Sequence, residues 1–210
     1  MAGCSSSPSP TGPPAAASPE DLVQQLATAY RTQDLQLLPG LLAADPELPD
    51  YVFLAPPEGG FPGQQWNRDE ELRIHTRMFD PVSTQQGTSP LPEDLWISTI
   101  LITLTQETPF VEVPELYAST SNPTGISPQR WKALEAIYGT DVLFDLEGEI
   151  DYQVNGQCRF VVVEDLQISP GEAGRLTMLR WEELPMSKAG ALKPSAVRAR
   201  SWGELKTLYR

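Results

Sequence analysis

The sequence has one histidine, His75, and two cysteines, Cys4 and Cys158. Two cysteines exclude a disulfide framework and a cysteine-rich four-ligand zinc site. A single histidine excludes a metal centre built on two or three imidazoles. Any Ser/His/Asp or Cys/His catalytic unit would have to use His75. Basic residues are scarce as well: 15 Lys and Arg stand against 28 Asp and Glu, for a formal net charge of -13. That sign argues against nucleic acid, whose backbone is bound by cationic surfaces that release counterions. No run approaches the roughly 18 uninterrupted apolar residues of a membrane-spanning helix, so a membrane contact would be covalent or peripheral. Phosphate-loop and dinucleotide fingerprints are also missing, and neither a cofactor nor a metal is expected.

What is there divides into a leader and a domain. Residues 1–18 contain Ser5 to Ser18, SSSPSPTGPPAAAS. This stretch has no hydrophobic periodicity to offset its ordering entropy, which predicts a disordered tether. Before it, Met1-Ala2-Gly3-Cys4 resembles the end of a bacterial lipoprotein signal, where Ala-Gly-Cys follows an apolar stretch and the cysteine is lipidated after cleavage. The apolar stretch is missing, and Met1 stands where leucine is usual. The resemblance implies lipidation of Cys4, with two or more acyl chains for stable attachment. The protein would then sit in the bacterial cell envelope, on the periplasmic or cell-surface side. The alternative is a chance cysteine in a cytoplasmic tail.

From residue 19 to 210 the pattern predicts one domain of ordinary size. Ser18-Pro19-Glu20-Asp21 is a helix start, with an N-cap, a proline at the first position and acids at the positive end of the dipole. Leu22, Val23, Leu26, Ala29 and Tyr30 follow on one face. Asp34 is expected to cap a second helix with Leu37, Leu38, Leu41 and Leu42 inward, before a strand from Tyr51 to Leu54. Asn67 is expected to cap a third helix, RDEELRIHTRMF, with Leu72, Ile74, His75, Met78 and Phe79 on one side. Trp96 to Thr105 alternates as a half-buried strand does, and the Pro-rich stretch 108–127 reads as an insertion. A helix is predicted from Ser127-Pro128 through Trp131, Leu134 and Ile137, then a strand from Tyr138 to Leu146. Asn155-Gly156 predicts a two-residue hairpin turn, with Gly148 as a bulge before it. A strand from Arg159 to Leu166, a Pro170-Gly171 turn, a strand from Leu176 to Leu184 and a basic loop from Lys188 to Arg200 complete the meander. Ser201 and Glu204 form a capping box for a last helix ending at Tyr209.

Helices first and an antiparallel meander afterwards is an α+β order. The Ser-Pro-Glu-Asp-Leu helix, the Arg-Thr-Gln-Asp-Leu turn, the leucine-rich second helix and the Tyr51 strand together resemble the nuclear transport factor 2-like superfamily, which includes ketosteroid isomerases and SnoaL-type cyclases. The resemblance spans roughly residues 19 to 184 in element order, is best from Leu22 to Ala44, and contains no diagnostic short motif. It implies a cone-shaped roll of N-terminal helices on a curved antiparallel sheet, with a pocket at the open end. In the isomerase members a first-helix tyrosine and an acid closing the first strand are catalytic. The matching positions here are Leu26 and Leu54 or Ala55, so that chemistry does not carry over.

Three sets of residues bear on chemistry. Glu71 and His75, one turn apart, can form a carboxylate–imidazole pair and act as a general base. The ordinary reading of a lone histidine on an apolar face is a satisfied core residue. Asp141, Asp145, Glu149, Asp151, Glu164 and Asp165 make an acidic stretch that reads as a solvated strand face, since it lacks Ca²⁺-loop spacing. Of the five tryptophans, Trp66 and Trp181, with Arg180 and His75, are the residues expected to line a ligand pocket. The sequence therefore reads as a non-catalytic envelope lipoprotein whose domain binds a small ligand or a protein partner, with a homodimer possible. The runner-up is a SnoaL-type isomerase, dehydratase or cyclase using Glu71 and His75.

Overall fold

The structure is a computed structural model that describes residues 15–57, 63–83, 90–148, 151–167, 175–185 and 197–210. Residues 1–14 with Cys4, Glu149, the Pro170-Gly171 turn and most of the basic loop lie outside these residues, while the last four residues of the leader are described, with Ala16 buried. Helix α1 (Pro19–Thr32) starts as its sequence dictates: the Ser18 hydroxyl accepts from the Asp21 N–H at 3.2 Å and Pro19 fills the first position. It ends at Gln33, whose φ of 52° is left-handed and whose N–H reaches back to Tyr30 O at 3.2 Å. Leu22, Val23, Leu26, Ala29 and Tyr30 are buried along one side.

Asp34 does not cap a helix. Its Oδ1 accepts from the N–H groups of Gln36 and Leu37 at 2.7 and 3.1 Å, which is an Asx turn. Pro39 and Gly40 then hold α2 to the single turn Leu38–Leu41. Strands β1 (Val52–Ala55) and β2 (Gln64–Asn67) form a short hairpin, and Asn67 caps α3 (Arg68–Phe79) in a full capping box with Glu70.

The remaining chain builds the sheet from β3 (Ile97–Gln106), β4 (Val111–Glu112), β5 (Trp131–Leu146), β6 (Asp151–Asp165), β7 (Leu176–Leu184) and β8 (Val197–Ala199). Its order is β2-β1-β7-β6-β5-β3, with β4 on β5 and β8 on β6. The sheet is mixed rather than wholly antiparallel, because β1 lies parallel to β7 and β8 parallel to β6. Helix α1 packs on β3 and also on β7, three positions away, so the sheet bends around the helix. This is the helix-on-curved-sheet roll that the resemblance implies. Part of the Pro-rich stretch joins it: β4 pairs with Glu135 and Leu134, and Val113 and Ile126 are buried.

Two local expectations fail, each for a physical reason. The segment from Ser127 makes one turn and then enters β5 at Trp131, with no helix. Its inner positions are Trp131, Ala133, Ala136 and Tyr138, with a slip of phase at the half-buried Leu134 and Glu135. That slip gives Trp131, Leu134 and Ile137 a spacing of three that imitates a helix. Likewise Asn155-Gly156 is not a turn: Asn155 pairs with Asp141 and Gly156 with Thr140 in the middle of the β5–β6 ladder. The hairpin closes instead around Gly148, beyond Phe144 and Tyr152, where the Leu146 N–H donates to Asp151 Oδ1 at 3.2 Å. Fourteen residue pairs in one register outweigh one favourable dipeptide.

The Asn155 position supplies a check. Replacing Asn155 by Thr suits a strand and should change stability by less than about 0.5 kcal/mol in a urea titration. A loss of about 2 kcal/mol would mean that the chain turns there.

Candidate functional site

The last helix, α4 (Trp202–Leu208), determines what the interior of the roll contains. Ser201 and Glu204 close its capping box, and Trp202, Leu205, Lys206 and Tyr209 recur at helical spacing on its inward side. The buried Glu183 carboxylate, on the inward side of β7, accepts from the Trp202 and Gly203 N–H groups at 2.8 and 3.0 Å and docks the positive end of α4. At the other end the Tyr209 hydroxyl donates to Leu95 O at 3.0 Å, and Arg210 meets Glu70 at 2.9 Å. Gly203 is required for the approach, since a Cβ there would lie 2.6 Å from the Ala55 Cβ.

This docking sends Lys206, 0% exposed, into the core. Its ammonium donates to Glu71 Oε1 and lies over the faces of Phe53 and Trp181, 3.6 and 4.0 Å from their centroids. Trp202 supplies a third face at 5.6 Å. Burial lowers the Lys206 pKa, and the adjoining Glu71 opposes that shift. The buried Tyr51 hydroxyl lies beside the Glu71 carboxylate, and burial with the Glu71 charge raises its pKa well above the usual tyrosine value.

His75 is equally enclosed, at 1% exposed. Its Nδ1 stands 2.7 Å from the Glu71 carbonyl oxygen, which can only accept, so Nδ1 carries the proton. Nε2 is then the acceptor for the Tyr30 hydroxyl. Burial lowers the His75 pKa to about 4, which leaves the ring neutral. The 3.9 Å separation between Nδ1 and Glu71 Oε1 is therefore not an ion pair. Tyr30 is the hub of this region, edge-on to His75, Phe79, Trp181 and Trp202 at centroid distances of 5.0 to 6.0 Å. Burial and the Glu71 charge raise its pKa well above the usual tyrosine value. Cys158 lies in the same interior, and burial pushes its thiol up to about 12, away from nucleophilic use.

The structure brings together most of the residues that the sequence singled out. Glu71, His75 and Trp181 share the interior, and Trp66 joins it through Phe53 at 4.9 Å. Arg180 does not, because alternation along β7 turns it to the opposite side from Trp181. Side chains of α4 fill the space between these residues. A cleft of about 300 Å³ among the described residues lies elsewhere, between Ala43–Asp50 and the start of α3. Of the acidic stretch, Asp141 and Asp145 are exposed as expected of a solvated face, whereas Asp151, Glu164 and Asp165 are part-buried and Asp165 faces Arg130 at 3.5 Å. Sequence reasoning missed Tyr30, Tyr51, Glu183 and Lys206 as polar members of the interior. Lys206 and Tyr30 carried a usable signal, their places on the apolar faces of α4 and α1.

No family model matches the chain, and no curated protein does. Nuclear transport factor 2-like proteins are among its structural neighbours. One, a superfamily protein from Salmonella enterica serovar Typhimurium, shares 12% identity with a TM-score of 0.38, over 83% of this chain and 93% of that one. A protein from Streptomyces avermitilis, described as a dehydratase of the same family, shares 14% identity with a TM-score of 0.37, over 80% and 99%. Another, from Thiobacillus denitrificans, is described as a calcium/calmodulin-dependent protein kinase type II association domain; it shares 10% identity with a TM-score of 0.43, over 83% and 100%.

Two outcomes follow from this geometry. Gly203→Ala should destabilise the fold by about 1–3 kcal/mol in urea, because α4 must withdraw from β1. The second concerns pH. An unfolded His75 binds a proton near 6.5 and the folded one near 4, so its contribution to stability is whole above the first value and is lost as pH falls toward the second. By about pH 5 the loss is about 2 kcal/mol. Denaturant titrations of His75→Gln should lack this component of the pH dependence.

Proposed function

We propose that the chain is a non-catalytic binding module, held at the bacterial cell envelope by lipid on Cys4, whose domain engages a small ligand or a protein partner. One observation carries the non-catalytic part: both ring nitrogens of His75 are already bonded within the core, while Glu71 is bonded to Lys206. A general base must reach a substrate proton with a free acceptor atom. Here the one imidazole acceptor is taken by Tyr30, and the carboxyl group is enclosed with it. The runner-up reading, a SnoaL-type isomerase, dehydratase or cyclase acting through Glu71 and His75, requires α4 to leave the interior before either group can meet a substrate.

The anchoring part rests on Met1-Ala2-Gly3-Cys4 and the Ser/Pro tether behind it. A tether of this composition separates a membrane-bound cysteine from a folded body without adding structure of its own. The acidic surface suits this placement, since it disfavours adsorption of the domain itself on anionic lipid.

Labelled palmitate tests the anchor. In cells expressing the gene with its upstream sequence, label should enter the wild-type protein and not Cys4→Ser, and an unlabelled wild type would overturn the proposal. For the domain, native mass spectrometry should show the same co-purifying mass on wild type and on His75→Gln. Loss of that mass from a folded His75→Gln would restore the acid–base reading.

A further inference from the structure

The interior of the roll contains the parts of an ammonium receptor. Phe53 and Trp181 belong to the sheet and present their faces 3.6 and 4.0 Å from the Lys206 nitrogen; Trp202 closes a third side at 5.6 Å. Aromatic faces around a cation, away from water, are how proteins recognise ammonium groups, because the negative ring faces replace hydration that the ion has lost. Glu71 adds a carboxylate oxygen in direct contact. The Tyr51 hydroxyl is buried beside the same carboxylate, and burial and that charge together raise its pKa. Phe53, Trp181, Glu71 and Tyr51 all come from β1, β7, α3 and the residue preceding β1, which form the body of the roll. The cation comes from α4, as does Trp202; the helix is bonded to Glu183 at its start and to Leu95 and Glu70 at its finish, and its inner face is buried between.

We propose that this cage is a binding site for a linear primary alkylammonium, and that the chain fills it in cis with Lys206, so that α4 acts as a built-in ligand. The inference goes beyond the binding-module reading and stands apart from it, since in the wild type Lys206 already occupies the cage. A free amine of this class would gain the carboxylate contact and the aromatic faces together. Neutral molecules of the same shape would gain only the apolar contact, and would leave the Glu71 carboxylate buried without a cation.

The test removes the internal ligand and supplies it from outside. Lys206→Ala in the full chain deletes three carbons and the nitrogen, which is the outline of n-propylammonium. Adding n-propylammonium chloride should raise the melting temperature of Lys206→Ala saturably, by about 3–6 °C at tenfold above its Kd. The isosteric 1-propanol, and sodium chloride at equal ionic strength, should give no saturable rise. The response should vanish in Lys206→Ala/Glu71→Gln and be absent from the wild type, whose cage is full. If Lys206→Ala does not fold by itself, n-propylammonium should restore its tryptophan fluorescence on refolding, and failure to restore it would overturn the proposal. An equal effect of 1-propanol, or an equal shift in the wild type, would also overturn it. Neither palmitate labelling of Cys4 nor the native mass of wild type depends on this outcome, so the two proposals fail separately.

Discussion

The contact between Lys206 and Glu71 is the constraint around which the rest of the interior is arranged. Neither residue reaches water, and a lone charge in such a place costs several kcal/mol even after relaxation. Each is tolerated because the other is there, with Phe53 and Trp181 against the ammonium. The pair also joins distant parts of the chain, since Glu71 stands in α3 and Lys206 in the last helix. Glu183 extends the same logic to the backbone, its carboxylate bonded to the first N–H groups of α4. Closing the roll with α4 is thus as much an electrostatic event as a hydrophobic one.

That closure decides how the candidate chemistry is read. A glutamate and a histidine one turn apart on a helix have the composition of an acid–base pair. With α4 in place, however, the histidine is neutral, its proton is fixed on Nδ1 and its acceptor is taken by Tyr30. The same residues that could abstract a proton serve to satisfy one another. The interior of the roll is filled by the side chains of α4.

The parts of this arrangement that were legible in the sequence are those governed by local rules. Ser18, Asn67 and Ser201 each cap the helix they precede, because capping depends on a few neighbouring atoms. The strand from Ile97 was equally plain from its alternation. Where register across strands competes with local preference, register wins, so Asn155-Gly156 lies in a ladder and Trp131 begins a strand. Of the site, Glu71 and His75 were visible as a pair. Their true partners, Tyr30 in α1 and Lys206 in α4, are far off in sequence, and nothing local announces a contact made only by folding.

The central claim is that Lys206 and Glu71 hold each other in the core. A double-mutant cycle with Lys206→Met and Glu71→Gln, followed by urea denaturation, tests it most directly. Each single substitution should cost about 3–5 kcal/mol, because it leaves one partner buried and uncompensated. The double substitution should cost clearly less than the sum, with a coupling of about 2 kcal/mol or more. Additive losses would contradict the account, since they would mean that the two groups do not meet in the folded protein.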